Sequence, residues 1–246
     1  MAVAEAPAIN IRPELTSGGR SRLTTVLTWL TGLLMVASLV AIFAYAPIER
    51  TQGLPQKIFY FHVPLAWDAY LAFFCTLVGS IAFLRNAKPK WDVLAYSAAE
   101  MGVVFTTLVL ISGSIWGKAV WGTWWTWDAR LTSTLVMWFI YVAYLMLRSS
   151  VGRTTLKAAR YAAVLGIVGF IDVPIVHMSV TWWRTLHPQP TIANPAGPTL
   201  PGSMLATFAL SFVTFTIMFV WLLRERMAIE SLRREVDLLA EAVLED

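Results

Sequence analysis

The sequence predicts an all-α integral membrane protein: a bundle of six transmembrane helices with both chain ends in the cytoplasm and a tryptophan-rich outer loop. Hydrophobic residues make up 57% of the chain and charged residues only 14%, whereas a soluble domain carries about 25% charged residues. Six apolar runs approach the length of roughly 20 residues that a helix needs to cross a bilayer. Lysine and arginine are distributed unevenly between the connecting segments, which predicts the orientation.

The predicted spans follow one another along the whole chain. They cover residues 23–46, 65–84, 96–116, 131–147, 161–178 and 203–223. The fifth span is the least regular, because Asp172 and Pro174 interrupt its second half and predict a distortion of the helix there.

The two ends of the chain differ from the spans in composition. Residues 1–22 are polar and predict a disordered cytoplasmic arm, whereas residues 23–223 form the membrane domain. Residues 224–246 are highly charged and predict a cytoplasmic helical tail. An apolar stripe runs along this tail at spacings of 3 and 4: Ile229, Leu232, Val236, Leu239 and Val243. That pattern is typical of an amphipathic helix, which would dock on a cytoplasmic partner or on the protein's own inner surface.

The orientation follows from the basic residues. One alternating set of segments carries 14 lysines and arginines, and the other carries five, namely Arg50, Lys57, Lys118, Arg130 and Arg184. Because basic residues accumulate in cytoplasmic loops, residues 47–64, 117–130 and 179–202 are expected to face outward.

Several classes of function are excluded at this stage. The net charge of +4 is spread between apolar runs and forms no basic patch. We therefore expect the protein to contact the lipid bilayer and not to bind nucleic acid. The single cysteine, Cys75, cannot form an intramolecular disulfide. No nucleotide-binding loop or catalytic triad is readable. We therefore expect a protein that is not an enzyme, and any ATPase must be a separate chain.

Five tryptophans fall within twelve positions at the predicted outer boundary: Trp116, Trp121, Trp124, Trp125 and Trp127. One interpretation is an aromatic belt at headgroup depth, but belts place one or two such residues on each helix. The other interpretation is a platform, on which flat indole rings stack against a flat, apolar ligand. The crowding favours the platform.

All three histidines, His62, His177 and His187, lie on the predicted outer side. Neutral imidazole is a common metal ligand, and haem iron is often held by histidine. Zinc is disfavoured, because no third or fourth ligand occurs at suitable spacing.

Two outer segments place adjacent tryptophans near an arginine: Trp124 and Trp125 precede Arg130, and Trp182 and Trp183 precede Arg184. Arginine binds carboxylates such as haem propionates in a bidentate manner, and Lys118 could assist. Each arginine alone is equally well explained as an ordinary interfacial residue.

The acidic residues leave alternatives open. Asp128 either caps the fourth span or contacts a ligand directly. Asp68 is expected in the first turn of its helix, after Pro64 near the start. Glu100 and Asp172 lie near span ends, where they mark a functional pathway or simply reach an interface.

Three stretches together resemble a known family: WGTWWTWDARLTS (121–133), KIFYFHVPLAW (57–67) and WWRTLHPQP (182–190). They are similar to the tryptophan-rich signature of the WWD haem-handling proteins of cytochrome c maturation, and within these to the haem exporter protein C family. The resemblance covers about residues 25–223.

The resemblance implies a function and a site. Such a protein holds haem b as a transiently bound cargo on the outer face of the bacterial inner membrane, over the tryptophan-rich segment. His62 and His187 match the family's axial ligands, and Asp128 matches the aspartate of the signature. The haem is passed to a membrane-anchored haem chaperone, with the help of the ATPase and permease subunits of an ABC transporter and a small single-span subunit.

Two alternative functions remain. The chain could itself be a permease subunit that moves haem across the bilayer, for which only Glu100 and Asp172 are candidate pathway residues. It could also be a haem lyase. The lyase is disfavoured, because the larger WWD relatives carry an additional histidine pair inside the membrane and this chain has only His177 at a span end.

Overall fold

A computed structural model describes residues 21–151, 155–187, 192, 197 and 200–245. This part of the chain is helical and contains no strand, apart from one isolated bridge between Glu49 and Gly53. The α-helices are α1 (Arg22–Val40), α2 (Phe59–Asn86), α3 (Pro89–Trp121), α4 (Ala129–Val151), α5 (Leu156–Phe170), α6 (Asp172–Trp182) and α7 (Gly202–Glu245). A π-helical turn, Ala41–Tyr45, extends α1, and a 3₁₀ turn, Leu54–Ile58, precedes α2.

Six helical segments are long and apolar enough to cross a membrane, with α5 and α6 sharing one of them. The predicted all-α fold with six spans is therefore confirmed. An even number of crossings brings both ends of the membrane domain to the same side. We call the side formed by residues 46–53, 122–128 and 183–187 the tryptophan-rich end.

The second span begins earlier than predicted, and this changes the position of Asp68. Helix α2 starts at Phe59, so Pro64 lies inside the helix and Asp68 is its tenth residue, not a first-turn residue. Asp68 is fully buried, and its carboxylate has no hydrogen-bond partner within the described residues. The prediction placed the start near Pro64 because proline is favoured in the first turn of a helix. Inside a helix, a proline costs one helical hydrogen bond. Burial of Phe59, Tyr60 and Leu65 in the core compensates for that loss.

The start of α2 is held against the end of the first span by Lys57. Its side chain is buried, and its ammonium group donates to the carbonyl of Ala46 at 2.8 Å and to that of Ile42. These carbonyls belong to the π-helical turn and to the residue after it, which lack ordinary helical partners. Lys57 therefore holds the end of the first span against the start of α2, the helix that carries His62.

The predicted distortion of the fifth span is confirmed. Helix α5 ends at Phe170, and α6 begins at Asp172 with Pro174 in its first turn. The fifth span is thus two helices joined at Ile171, whose N–H group donates to the carbonyl of Val168 at 3.1 Å.

The sixth span and the tail form one uninterrupted helix. Ion pairs hold the part of α7 just beyond the membrane: Arg226 pairs with Glu100 of α3, and Arg234 pairs with Asp92 of α3 at 3.0 Å. Glu100 is therefore engaged in an ion pair and does not line the cavity described below. The apolar stripe is exposed: Ile229, Leu232, Val236, Leu239 and Val243. Within the described residues it does not dock on the protein's own surface.

The middle of the bundle is closed by an aromatic cluster. The rings of Phe73 on α2 and Tyr141 on α4 stack with centroids 3.7 Å apart, and Tyr96 and Tyr144 are buried in the same cluster. Gly102 of α3 allows this contact, since a Cβ atom there would lie 2.2 Å from the Phe73 ring. Residues 1–20, most of the predicted arm, lie outside the described residues.

Candidate functional site

A cavity opens at the tryptophan-rich end between α2, α3 and α4. It encloses about 750 Å³ of space outside the protein atoms, a volume that includes its open mouth. Its lining on α2 extends from His62 to Tyr70. Eight residues of helix correspond to about 12 Å, so the cavity reaches well below the helix ends.

Small residues on two facing helices create the space. Ala66 and Ala69 line the cavity on α2, and Gly113 and Gly117 line it on α3. These pairs are three and four residues apart, which places each pair on one face of its helix. Larger side chains at these positions would project into the cavity.

His62 lies against α3 at the upper part of the cavity. Its Nδ1 atom is 2.9 Å from the Oγ atom of Ser112, and its ring meets that of Trp116 edge-on with centroids 5.7 Å apart. The ring fits because residue 113 is glycine: a Cβ atom there would lie 3.0 Å from His62 Cε1. Packing and a hydrogen bond therefore fix the imidazole within the cavity wall.

His187 approaches the same cavity from the third loop of this end. Its ring lies beside that of Trp121 with centroids 5.7 Å apart, and its Nδ1 atom is 4.0 Å from the Oδ2 atom of Asp128. That separation is too long for a hydrogen bond. His62 and His187 therefore line the same cavity from different elements of the chain.

The charge state of His187 follows from its surroundings. Burial lowers the pKa of His187 from 6.5 to about 4; the Arg130 cation adds to this effect, and the Asp128 carboxylate opposes it. The imidazole is therefore neutral at pH 7, the form that binds metals.

Asp128 caps α4. Its Oδ1 atom accepts hydrogen bonds from the N–H groups of Arg130 and Leu131 at 3.0 Å each. Its Oδ2 atom accepts the hydroxyl hydrogen of Thr126, also at 3.0 Å. The capping interpretation made from the sequence is confirmed. The same carboxylate lines the cavity, and its contact with a ligand stays a prediction.

The tryptophan-rich loop forms the mouth. Trp121, Trp124 and Trp125 line the cavity, and Arg130 extends into it from the first turn of α4. The loop leaves α3 through Gly122, whose φ of +76° favours glycine. Lys118 donates to the carbonyl of Gly122 at 3.0 Å, so it stabilises this turn.

The structure does not bring every predicted site residue to the cavity. Trp116 lies behind His62 and donates its indole N–H to Gln52 Oε1 at 3.0 Å. The other residues outside the lining are Trp127, Trp182, Trp183, Arg184 and His177, all of them exposed. Contact of these residues with a ligand stays a prediction.

The sequence reasoning missed part of the site. Ser112 contacts His62, and Tyr70 and Leu186 line the cavity. A single serine or tyrosine within a membrane span does not by itself indicate a binding site in the sequence. The pairs of small residues on α2 and α3 would have been a usable signal, because they coincide with the histidine and with the tryptophan-rich segment. Among the described residues, no group of three His, Cys, Asp or Glu could hold a bare metal ion.

Comparison with known proteins gives a consistent result. The model of the family described as Heme exporter protein C matches residues 11–241. The chain is 38% identical over 213 residues to Heme exporter protein C of Bradyrhizobium diazoefficiens, covering 86% of this chain and 81% of that protein. It is 34% identical over 230 residues to the Haemophilus influenzae protein of the same name, covering 91% of each. The Escherichia coli K12 protein of that name is 38% identical over 174 residues, which cover 68% of this chain and 70% of that protein.

Proposed function

The chain belongs to the haem exporter protein C family, and from this premise we propose that it holds haem b in the cavity at the tryptophan-rich end and passes it on for the biogenesis of c-type cytochromes. The haem is a cargo that is bound transiently. His62 and His187 would hold its iron as axial ligands.

The observation that carries this proposal is the meeting of two histidines from distant parts of the chain. His62 comes from α2 and His187 from the segment after α6, yet both line one cavity. A histidine pair suits haem iron, which needs only two axial ligands.

The rest of the cavity suits a porphyrin. Indole rings of Trp121, Trp124 and Trp125 at the mouth offer flat apolar surfaces. The Arg130 guanidinium, which also lines the cavity, would bind a haem propionate through paired hydrogen bonds. Farther from the mouth, Leu110 and Met137 give the lining apolar surface, which would receive the apolar edge of the ring.

The closed floor favours presentation of haem over its translocation through this chain. Met137 belongs both to the cavity lining and to the aromatic cluster beneath it. The stacked rings of Phe73 and Tyr141 then fill the middle of the bundle. A permease path through the described residues would have to separate these rings.

Partners and sidedness complete the proposal. The tryptophan-rich end faces outward from the bacterial inner membrane, and a membrane-anchored haem chaperone takes the haem there. The ATPase and permease subunits of an ABC transporter and a small single-span subunit assist. The chain is not a haem lyase, because its third histidine, His177, is exposed on α6 and no second pair can form.

The test is the absorption spectrum of the detergent-purified full chain, titrated with haemin, for the wild type and for His62→Ala, His187→Ala and His177→Ala. We expect the wild type to give a spectrum of haem iron held by two histidines. The first two substitutions should weaken or shift it. His177→Ala is the control and should leave it unchanged.

A wild-type protein that binds no haemin would refute the proposal. So would a spectrum that is indifferent to His62 and His187. In either case a scaffold or permease subunit would be the better assignment.

A further inference from the structure

Ser112 is in contact with His62 and is not assigned a task by the proposed function. Its Oγ atom lies 2.9 Å from His62 Nδ1 and also 2.7 Å from the carbonyl oxygen of Leu108, one turn earlier on α3. Both distances are those of hydrogen bonds. The direction of the two bonds decides which nitrogen of His62 carries its proton.

A serine hydroxyl has one hydrogen, and a carbonyl oxygen can only accept. The bond to Leu108 therefore uses the hydroxyl hydrogen of Ser112. Toward His62 the same oxygen can then only accept, so Nδ1 of the imidazole must be the donor. If the hydroxyl turned to donate to Nδ1, its lone pairs would face the Leu108 carbonyl at 2.7 Å, which is repulsive.

A second hydroxyl on the same helix shows this arrangement with no ambiguity. Thr107 donates its hydroxyl hydrogen to the carbonyl of Val103 at 2.8 Å and lies 2.8 Å from Nε1 of Trp138. An indole nitrogen can only donate. Thr107 is therefore a hydroxyl that donates along its own helix and accepts from a ring N–H group, as we argue for Ser112.

From this geometry we infer that Ser112 is a positioning residue that holds the neutral His62 imidazole as the Nδ1–H tautomer, so that the Nε2 lone pair is the one presented to the cavity. Gly113 contributes by leaving room for the ring beside α3, since a Cβ atom would lie 3.0 Å from Cε1. This inference rests on the proposed function only in its last step, in which the presented lone pair binds haem iron.

Such a bond to the second nitrogen is how metal-binding histidines are commonly oriented, and its loss typically lowers metal affinity about 10- to 100-fold. The bond also fixes the orientation of a histidine that lines an open cavity. Without this bond, the imidazole would be a mixture of two tautomers, and fixing one of them on binding would reduce its affinity for the iron.

The experiment uses the full chain in nanodiscs and compares Ser112→Ala with Thr107→Val and with Ser112→Thr. The first readout is the tautomer of His62 in haem-free protein, from the nitrogen chemical shifts of ¹⁵N-histidine. The three histidine signals are assigned with His62→Ala, His177→Ala and His187→Ala. The second readout is the affinity for added haemin.

We expect wild-type His62 to carry its proton on Nδ1. Ser112→Ala should give a mixture of tautomers and bind haemin about 10- to 100-fold more weakly. Ser112→Thr keeps the hydroxyl and should restore both properties. Thr107→Val removes the equivalent bond to Trp138 and should change neither.

An Nε2–H tautomer in the wild type, or an unchanged tautomer in Ser112→Ala, would overturn the inference. If Ser112→Ala fails to fold, the tautomer in the wild type and in Ser112→Thr still decides the matter. Failure of the proposed function looks different: wild-type protein would bind haemin no better than His62→Ala, whatever the tautomer.

Discussion

At the scale of single residues, Asp128 links the fourth helix to the loop that carries His187. One carboxylate oxygen caps α4, and the other faces Nδ1 of His187 at 4.0 Å. Because the cap fixes the carboxylate on a rigid helix, the loop histidine gains a fixed negative neighbour. Asp128 therefore both caps α4 and lines the cavity.

Arg130 and Asp128 act on His187 in opposite directions, and this gives a prediction for haem-free protein. Arg130→Gln removes the cation that disfavours the imidazolium and leaves the Asp128 carboxylate that favours it. We therefore expect the pKa of His187 to rise above its value of about 4, toward 6.5. The measurement is an NMR titration of the histidine ring signals.

The same shift has a consequence for stability. The pKa of His187 is lower in the folded protein than in an unfolded chain, so the unfolded chain takes up the proton first. In the wild type, this contribution to stability is fully present above about pH 6.5 and is lost as the pH falls toward about 4. Because Arg130→Gln raises the folded-state pKa of His187, the loss of stability should be complete at a higher pH than in the wild type. Arg184→Gln is the matched control, because Arg184 is exposed and lies outside the cavity. A pKa that falls in Arg130→Gln would contradict the electrostatic argument.

At the scale of elements, the long helix α7 depends on buried charge near its exit from the membrane. Asp92 of α3 accepts hydrogen bonds from Arg148 of α4 at 2.8 Å and from Arg234 of α7 at 3.0 Å. Asp92 and Arg148 are almost completely buried. One carboxylate therefore joins three helices at the end opposite the cavity.

Removing that carboxylate should be costly. Asp92→Asn removes the buried carboxylate that accepts a hydrogen bond from Arg148, and breaking a buried ion pair in this way costs about 3 kcal/mol or more. The measurement is the free energy of unfolding from an SDS titration in mixed micelles. Arg233→Gln, an exposed change one residue before Arg234, should alter it by less than about 0.5 kcal/mol. Equal stability of the two variants would show that the pair does not hold the helices together.

At the scale of the whole molecule, the two ends of the bundle differ in chemistry. The tryptophan-rich end carries the cavity with both histidines, whereas the opposite end carries the ion pairs of Asp92 and Glu100 and the exposed tail of α7. The aromatic cluster around Phe73 and Tyr141 separates them. Among the described residues, this cluster lies between the cavity and the opposite end of the bundle.

The orientation of these ends can be tested in intact cells. In a Cys75→Ala background, a cysteine is introduced by Arg184→Cys at the tryptophan-rich end or by Ser231→Cys on the tail; both positions are exposed. Because the positive-inside rule places the tail in the cytoplasm, a membrane-impermeant maleimide should label only the Arg184→Cys variant. Ser231→Cys should react after the membrane is permeabilised. Labelling of Ser231→Cys in intact cells would reverse the proposed sidedness.

The six spans, the break at Asp172 and the segments that line the cavity could all be predicted from the sequence. These features depend on composition and local pattern: apolar length, a proline after an aspartate, and a run of tryptophans. The start of α2 was misjudged, since the burial of Phe59 and Tyr60 is a property of packing and leaves no local mark.

Which of the candidate site residues come together depends on how the helices pack. The tertiary structure brings His62, His187 and Arg130 to one cavity, and it leaves Trp182, Trp183 and Arg184 outside. It also supplies Ser112 as the partner of His62 and closes the cavity floor with Phe73 on Tyr141. Periodicity shows which face of a helix is apolar, but the neighbour of that face depends on how the helices pack. A contact between residues 50 positions apart in the chain, such as that of His62 with Ser112, therefore follows from packing alone.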